Sequence, residues 1–182
     1  MNYRLLQKDE LKFLTEIDRK EIIEEVYYFK NHKLELVKEF YDIQGWDLEE
    51  LNSFINRLDE IYDRKGTIYG AFDKGKIVGL AALESGFMGE NKDKIKLDML
   101  YISTSYRKKG IGKKLMCLSM GKARVLGAKI LYISATPTRK TVEFYLAMGA
   151  RVTDEIDKEL YELEPYDIHM ELNLCGSLQN FI

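Results

Sequence analysis

Apolar residues recur along this chain with two different periods, and the switches between them predict the order of its elements. From Asp47 to Tyr62, residues Leu48, Leu51, Phe54, Ile55, Leu58, Ile61 and Tyr62 fall on one face at the helical spacing. Asp47 with Glu50 resembles a capping box in which Asp replaces Ser or Thr. Asp9–Ile17 reads as a shorter helix. Glu24–Tyr41 has the period of strands: Val26 and Tyr28 oppose Tyr27 and Phe29, then Leu34 and Leu36 oppose Glu35 and Val37. Asn31-His32 divides this stretch, and Asn tolerates the left-handed backbone of a tight turn. Two further strands, Thr67–Phe72 and Lys76–Leu83, flank Asp73-Lys74-Gly75, and Gly86–Asp93 reads as a loop. Lys94–Ser103 is a strand, Gly112–Leu126 a helix with Gly127 just past its end, and Ala128–Ala135 a buried strand. Thr138–Met148 is a helix closed by Gly149, and two strands follow, the last alternating through Ile168, Met170, Leu172 and Leu174. This order predicts an α/β fold with a mixed sheet and helices on both faces.

Size and composition narrow the class. A length of 182 residues suits a single domain over 1–182, and 46% hydrophobic with 32% charged residues suits a soluble globular chain. No secretory leader or membrane-length apolar run is evident, and the two cysteines, Cys117 and Cys175, form no CxxC pair. A cytoplasmic protein without a disulfide or metal framework is expected.

The net charge of −2 conceals a strong segregation. Asp9–Arg64 holds 16 acidic and 8 basic residues, Lys92–Lys140 holds 2 and 13, and Thr141–Ile182 holds 9 and 2. A polyanionic ligand would need such a central basic block. The acidic flanks on either side of it repel a nucleic-acid phosphate backbone. The aromatics also do not interleave with the basic residues as a stacking platform would, so no nucleic-acid partner is expected.

Within the basic block lies Tyr106-Arg107-Lys108-Lys109-Gly110-Ile111-Gly112-Lys113-Lys114-Leu115, between a strand and a helix. A helix N-terminus presents unpartnered N–H groups, and glycine lets a ligand approach the backbone closely. A pyrophosphate suits this turn. The dinucleotide fingerprint requires a third glycine where Leu115 stands, and a P-loop requires Ser or Thr where Lys114 stands.

The spacing Arg107-x-x-Gly110-x-Gly112 resembles the acyl-CoA loop of the GNAT superfamily of N-acetyltransferases. A second stretch, Val142-Glu143-Phe144-Tyr145-Leu146-Ala147-Met148-Gly149-Ala150, resembles the family's Phe-Tyr segment before a glycine. The likeness runs roughly from Thr67 to Leu174. It implies a mostly antiparallel central sheet of about seven strands, with an extra hairpin near residues 24–41 inserted between the first two helices. Two departures stand out: Thr138 where the family often has Asn, and Ala150 where an aromatic is usual.

The resemblance implies acetyl-CoA as co-substrate, no metal, and transfer of its acetyl group to an amine. The implied cofactor contacts are Leu100, Tyr101, Ile102, Arg107, Lys108, Lys109, Gly110, Ile111, Gly112, Lys113, Thr138, Lys140 and Tyr145. The backbone N–H of Ile102 would stabilise the tetrahedral oxyanion. Tyr145 stands at the family's general-acid position, a phenol able to protonate the departing thiolate; read alone, it is equally a core aromatic of an amphipathic helix. An alkylammonium must first lose a proton, and Asp98 is the candidate base, with Glu84 as rival. By strict alternation Asp98 shares a face with Leu100 and Ile102.

In such a fold the N-terminal helices and the last strands wall the acceptor side, and here those segments are acidic, with Glu49, Glu50, Asp59 and Glu60 prominent. The expected acceptor is a small cationic amine or a peptide. A non-catalytic acyl-CoA sensor would share every cofactor residue. The hairpin and the tail Cys175–Ile182 are candidate homodimer contacts.

Overall fold

The alternating segments fold as strands close to their expected places. The computed structural model describes residues 1–175. In chain order these are β1 (Asn2–Leu5), a 3-10 helix (Lys8–Glu16), β2 (Glu21–Lys30), β3 (Lys33–Ile43), α1 (Leu48–Asp63), β4 (Thr67–Asp73) and β5 (Lys76–Met88). After these come β6 (Lys94–Ile102), a single 3-10 turn (Thr104–Tyr106), α2 (Ile111–Leu126), β7 (Ile130–Ala135), α3 (Arg139–Ala147), β8 (Arg151–Val152), α4 (Lys158–Leu163) and β9 (Ile168–Asn173). Seven strands form one sheet in the order β1-β4-β5-β6-β7-β9-β8, while β2 and β3 pair separately as a hairpin. Every neighbouring pair in the large sheet is antiparallel except β6–β7. A mixed, mostly antiparallel sheet of seven strands with an added hairpin is thus the observed fold.

The sheet separates two apolar layers. Leu115, Met116 and Met120 of α2 and Val142 of α3 pack on Ile95, Leu97, Leu131 and Ile133. On the opposite face Leu11, Leu14, Leu58 and Ile61, from the first 3-10 helix and α1, cover Ile68, Ile77, Leu80 and Met99. Because both faces of β5 are covered, its run Ile77–Leu83 is buried throughout and reads as continuously apolar rather than alternating.

Turn chemistry follows the sequence at both hairpins. Asn31 and His32 take φ of 49° and 59°, and Lys74 and Gly75 take 49° and 84°, the paired left-handed backbone of a two-residue turn. Some local expectations are corrected. The first helix is 3-10 rather than α, β5 continues to Met88 into the expected loop, and α4 intervenes before the last strand. Asp47 does cap α1, accepting from the N–H groups of Glu49 and Glu50, but the Glu50 carboxylate pairs with Arg19. No reciprocal box therefore closes.

Two irregularities of β6 create the site. Ala82 faces Met99 while Leu83 faces Leu97, so Asp98 is an extra residue, a β-bulge. One extra residue reverses the facing of everything beyond it. Leu97, Leu100 and Ile102 pack with the α2–α3 layer, whereas Met99 and Tyr101 pack with the α1 layer. Asp98 therefore does not share a face with Leu100 and Ile102, contrary to strict alternation. In addition, β6 pairs with β7 only from Lys94 to Leu97, opposite Ile130–Ile133. Beyond Leu97 the two strands part.

The β2–β3 hairpin lies across the mouth of that parting. Tyr27 N–H donates to the Pro137 carbonyl at 2.7 Å, Val26 bridges to Thr138, and Glu25 pairs with Arg139 at 2.6 Å.

Candidate active site

Where β6 and β7 separate, a cavity of about 980 Å³ opens, bounded by Leu97–Ile102 on one side and Ser134–Thr138 on the other. Backbone N–H groups alternate sides along a strand. Ser103 N–H donates to Val78 on β5, so the N–H groups of Leu100 and Ile102 point the other way, into the gap. The Ile102 carbonyl is also turned there and accepts from Arg107 Nε at 3.2 Å. Two strand donors without a strand partner are thus presented to the cavity.

At one end the cavity runs into the glycine turn. Gly110 caps α2 with φ of 79°, a backbone costly for residues with a Cβ, and Lys108 is also left-handed at 59°. The first intrahelical bond is Lys114 N–H to the Gly110 carbonyl, which leaves the N–H groups of Ile111, Gly112 and Lys113 outside the helical ladder. Arg107, Lys108, Gly110, Gly112, Lys113 and Lys140 all line the cavity. A helix N-terminus amid cations is an anion site. Lys109 leans over the Tyr106 ring at 5.0 Å, and Glu21 of β2 reaches into the site, 2.7 Å from Arg107 and 3.5 Å from Lys140.

Thr138 uses its side chain locally. Its hydroxyl oxygen accepts from Thr141 N–H at 3.3 Å and donates to Thr141 Oγ1 at 2.9 Å, capping α3. The cap starts α3 at the point that carries Tyr145, about two turns on, to the cavity wall. The Tyr145 ring belongs to the α2–α3 layer, edge-on to Phe144 at 5.2 Å, and only 7% of the residue is exposed. Burial pushes its phenol well above the ordinary value, so it stays protonated at neutral pH. Tyr101 is pushed up to about 12, chiefly by burial, in a cluster with Trp46 at 5.0 Å and Phe54 at 5.7 Å.

The proposed bases occupy different surroundings. Asp98, its side chain 2% exposed, lines the cavity and meets Arg57 at 2.6 Å and Lys96 at 3.0 Å through one oxygen, while Oδ2 has no hydrogen-bond partner among the described residues. Glu84 is held by Arg64 at 2.8 Å and does not line the cavity; it lines a second groove of about 820 Å³ between α1 and α4. The two spaces meet at Asp98. Of the acids expected on the acceptor wall, Glu49 and Glu60 line that second groove and Glu50 is engaged by Arg19.

Of three carboxylates missed from the sequence, Glu21 and Glu39 line the cavity and Asp167 stands behind the cavity-lining Ser134. Glu21 neutralises the cations described above. Glu39 of β3 lines the space and accepts from Tyr28 at 2.6 Å and Tyr41 at 2.5 Å, which together hold its carboxyl below the usual range. Asp167, just before β9, accepts from Ser134 at 3.2 Å. None lies near a glycine or a motif, so only the hairpin's docking and the β7–β9 pairing bring them in.

The model of the acetyltransferase (GNAT) family matches residues 26–150, more than half of the chain. The chain belongs to the GNAT family of acetyltransferases. An uncharacterized N-acetyltransferase of Escherichia coli K12, YjgM, is 27% identical over 108 residues, 58% of this chain and 63% of that protein, so less than two thirds of the relative is spanned. A nourseothricin acetyltransferase shares the fold with a TM-score of 0.72 at 18% identity, over 95% of this chain and 98% of that one. A Bacillus anthracis protein solved with acetyl coenzyme A gives 0.71 at 18% identity, over 94% and 97%. The PaiA N-acetyltransferase of Thermoplasma acidophilum, solved with coenzyme A, gives 0.62 at 19%, over 95% and 99%. In this GNAT chain the parted strands and the glycine turn border one cavity, and the β2–β3 hairpin brings Glu21 and Glu39 to it. Among the described residues no group of His, Cys, Asp and Glu is disposed to hold a metal, and no helix is long and apolar enough to cross a membrane.

Proposed function

We propose that this chain transfers an acetyl group from acetyl-CoA to an amine of a small cationic molecule or a peptide. The observation that carries the reading is the continuity of the site: unpaired strand N–H groups, a helix N-terminus among cations and a buried phenol border one cavity. The pyrophosphate would take the N–H groups of Ile111, Gly112 and Lys113. The pantetheine arm would lie in the gap against Leu100 and Ile102, much as a strand would.

The thioester carbonyl then lies near the Ile102 N–H, which offsets the charge of the tetrahedral oxyanion. Tyr145 gives its proton to the leaving thiolate. Burial keeps the phenol protonated at neutral pH, so it meets the leaving thiolate carrying its proton. The amine enters from the α1 side, where the buried Asp98 Oδ2 is free to accept one of its N–H groups. The ionised Glu39 and the cavity-lining Tyr28, Tyr41 and Tyr166 favour a cationic acceptor, through charge and through ring faces.

Thermal unfolding with acetyl-CoA, dephospho-coenzyme A and ATP tests the donor site. At about 100 times Kd a ligand adds roughly 2.7 kcal/mol of stability. A large shift with acetyl-CoA and little with ATP is expected; no shift with any of them would remove the reading. A non-catalytic acyl-CoA sensor would give the same shift but release no thiol when amines are added.

A further inference from the structure

We propose that Asp167 receives the proton of the attacking amine, relayed through the hydroxyl of Ser134. The proposal rests on the transferase reading above and supplies the base that reading lacks.

Three geometric facts single out this pair. Ser134, near the end of β7, lines the cavity at the point where β6 and β7 part. Its Oγ donates to Asp167 Oδ2 at 3.2 Å, so the hydroxyl proton already lies along the line of transfer. Asp167 is fixed there by a turn, its own N–H bonded to the Glu164 carbonyl at 3.1 Å, and its charge is felt by the phenols of both Tyr145 and Tyr101.

The rivals are engaged elsewhere. Asp98 is clamped by Arg57 and Lys96, and Glu84 by Arg64 outside the cavity. Asp167 makes no ion pair among the described residues. The charged and titratable groups around it are Arg57 of α1, Lys96 of β6, Tyr101 and Tyr145, and Glu164 of the preceding turn. Burial and then the Glu164 charge raise its carboxyl to about 6, against the opposing pull of the Ser134 hydrogen bond, Lys96 and Arg57. A carboxylate of that basicity is a better acceptor for an ammonium proton than an ordinary one, yet still ionised at neutral pH.

The steps balance. One N–H proton of the ammonium passes to Ser134 Oγ while the Ser134 proton passes to Asp167 Oδ2. The freed nitrogen lone pair forms the C–N bond, the C–S bond breaks, and the thiolate takes the Tyr145 proton. The nitrogen, cationic once the C–N bond has formed, gives its second proton to the Tyr145 phenolate and keeps one in the neutral amide, and Asp167 releases its proton to solvent.

Carbon-13 NMR titration of the side-chain carboxyls in the wild-type protein comes first, because it needs no acceptor. An Asp167 midpoint near 6 is expected, and a midpoint in the ordinary carboxylate range would overturn the proposal. Turnover is then measured with acetyl-CoA and spermidine, kanamycin A or a lysine-containing peptide as acceptor. Asp167→Asn should lower kcat/KM by about 10²- to 10⁴-fold, remove the acidic limb of its pH profile and leave acetyl-CoA affinity within twofold. Ser134→Ala should lose a similar factor, with no further loss in the double variant. An Asp167→Asn protein with the wild-type profile would sink the relay while leaving the transferase reading in place. A wild type that binds acetyl-CoA but acetylates none of the three amines would count against the transferase reading, and the relay would fall with it.

Discussion

Tyr145 shows how one residue can satisfy two readings of its sequence. Its helical spacing marks a core aromatic, its motif marks a proton donor, and the fold buries the ring while leaving it on the cavity wall. Tyr145→Phe keeps the packing and removes only the hydroxyl. It should lower kcat by about 10²-fold or more with acetyl-CoA affinity unchanged; an equal loss of affinity would mark a packing residue. Asp167 makes a second residue-scale prediction, on stability. Its carboxyl holds a proton up to about 6 in the folded protein, against 3.8 as the ordinary value. Between those values the folded state binds more protons than the unfolded one, so its contribution to stability falls as pH rises through that window. Asp167→Asn should therefore raise the thermal midpoint at pH 7.5 relative to wild type and not at pH 4. An equal change at both pH values would mean that its ionisation carries no stability cost. Tyr145 was legible in the sequence because a motif flags it. Asp167 was not, since its environment is made by β7, α1 and β6 together.

At the scale of elements, periodicity located the hairpin, α1, α2 and the strands of the sheet, because one covered face imposes a period on any strand or helix. It failed at β6, where the bulge at Asp98 turns Asp98 away from Leu100 and Ile102. A bulge leaves no mark in an apolar pattern that is buried on both faces. The β2–β3 hairpin was legible as a hairpin, but its place over the glycine turn was not. That place puts Glu21 against Arg107 and Lys140, the cations assigned to the pyrophosphate. Glu21→Gln should accordingly tighten acetyl-CoA binding by about 1.5- to 5-fold, the range of a partly exposed ion pair. Titration calorimetry checks this. Weaker binding in the variant would mean that Glu21 orients the cations for the phosphates rather than competing with them.

The whole molecule sorts its charge around the sheet. The basic middle third surrounds the glycine turn, and part of the acidic remainder folds back to neutralise buried lysines. Lys94, with a side chain 5% exposed, sits at 2.5 Å from Glu171 and 2.6 Å from Glu155, linking β6 to β9 and to the segment after β8. Burial works against its charge, but the two carboxylates outweigh this and raise it above the ordinary lysine value. Lys94→Met would leave Glu171 buried with the Thr153 hydroxyl and the largely exposed Arg151, 3.8 Å away, as partners, and should destabilise the fold by about 3 kcal/mol in denaturant titration. A change below about 1 kcal/mol would mean that Glu171 takes up its proton instead. The sequence by itself determined the order of the elements from the hairpin to α3, the sheet class, the glycine turn and the family, because these depend on local spacing and on backbone chemistry at a few glycines. Only the tertiary structure decided the parting of β6 from β7, the facing of Asp98, the arrival of Glu21 and Glu39 at the cavity, and the placing of Asp167 behind Ser134. Those depend on strand register and on contacts between segments far apart in the chain, and no local period encodes them.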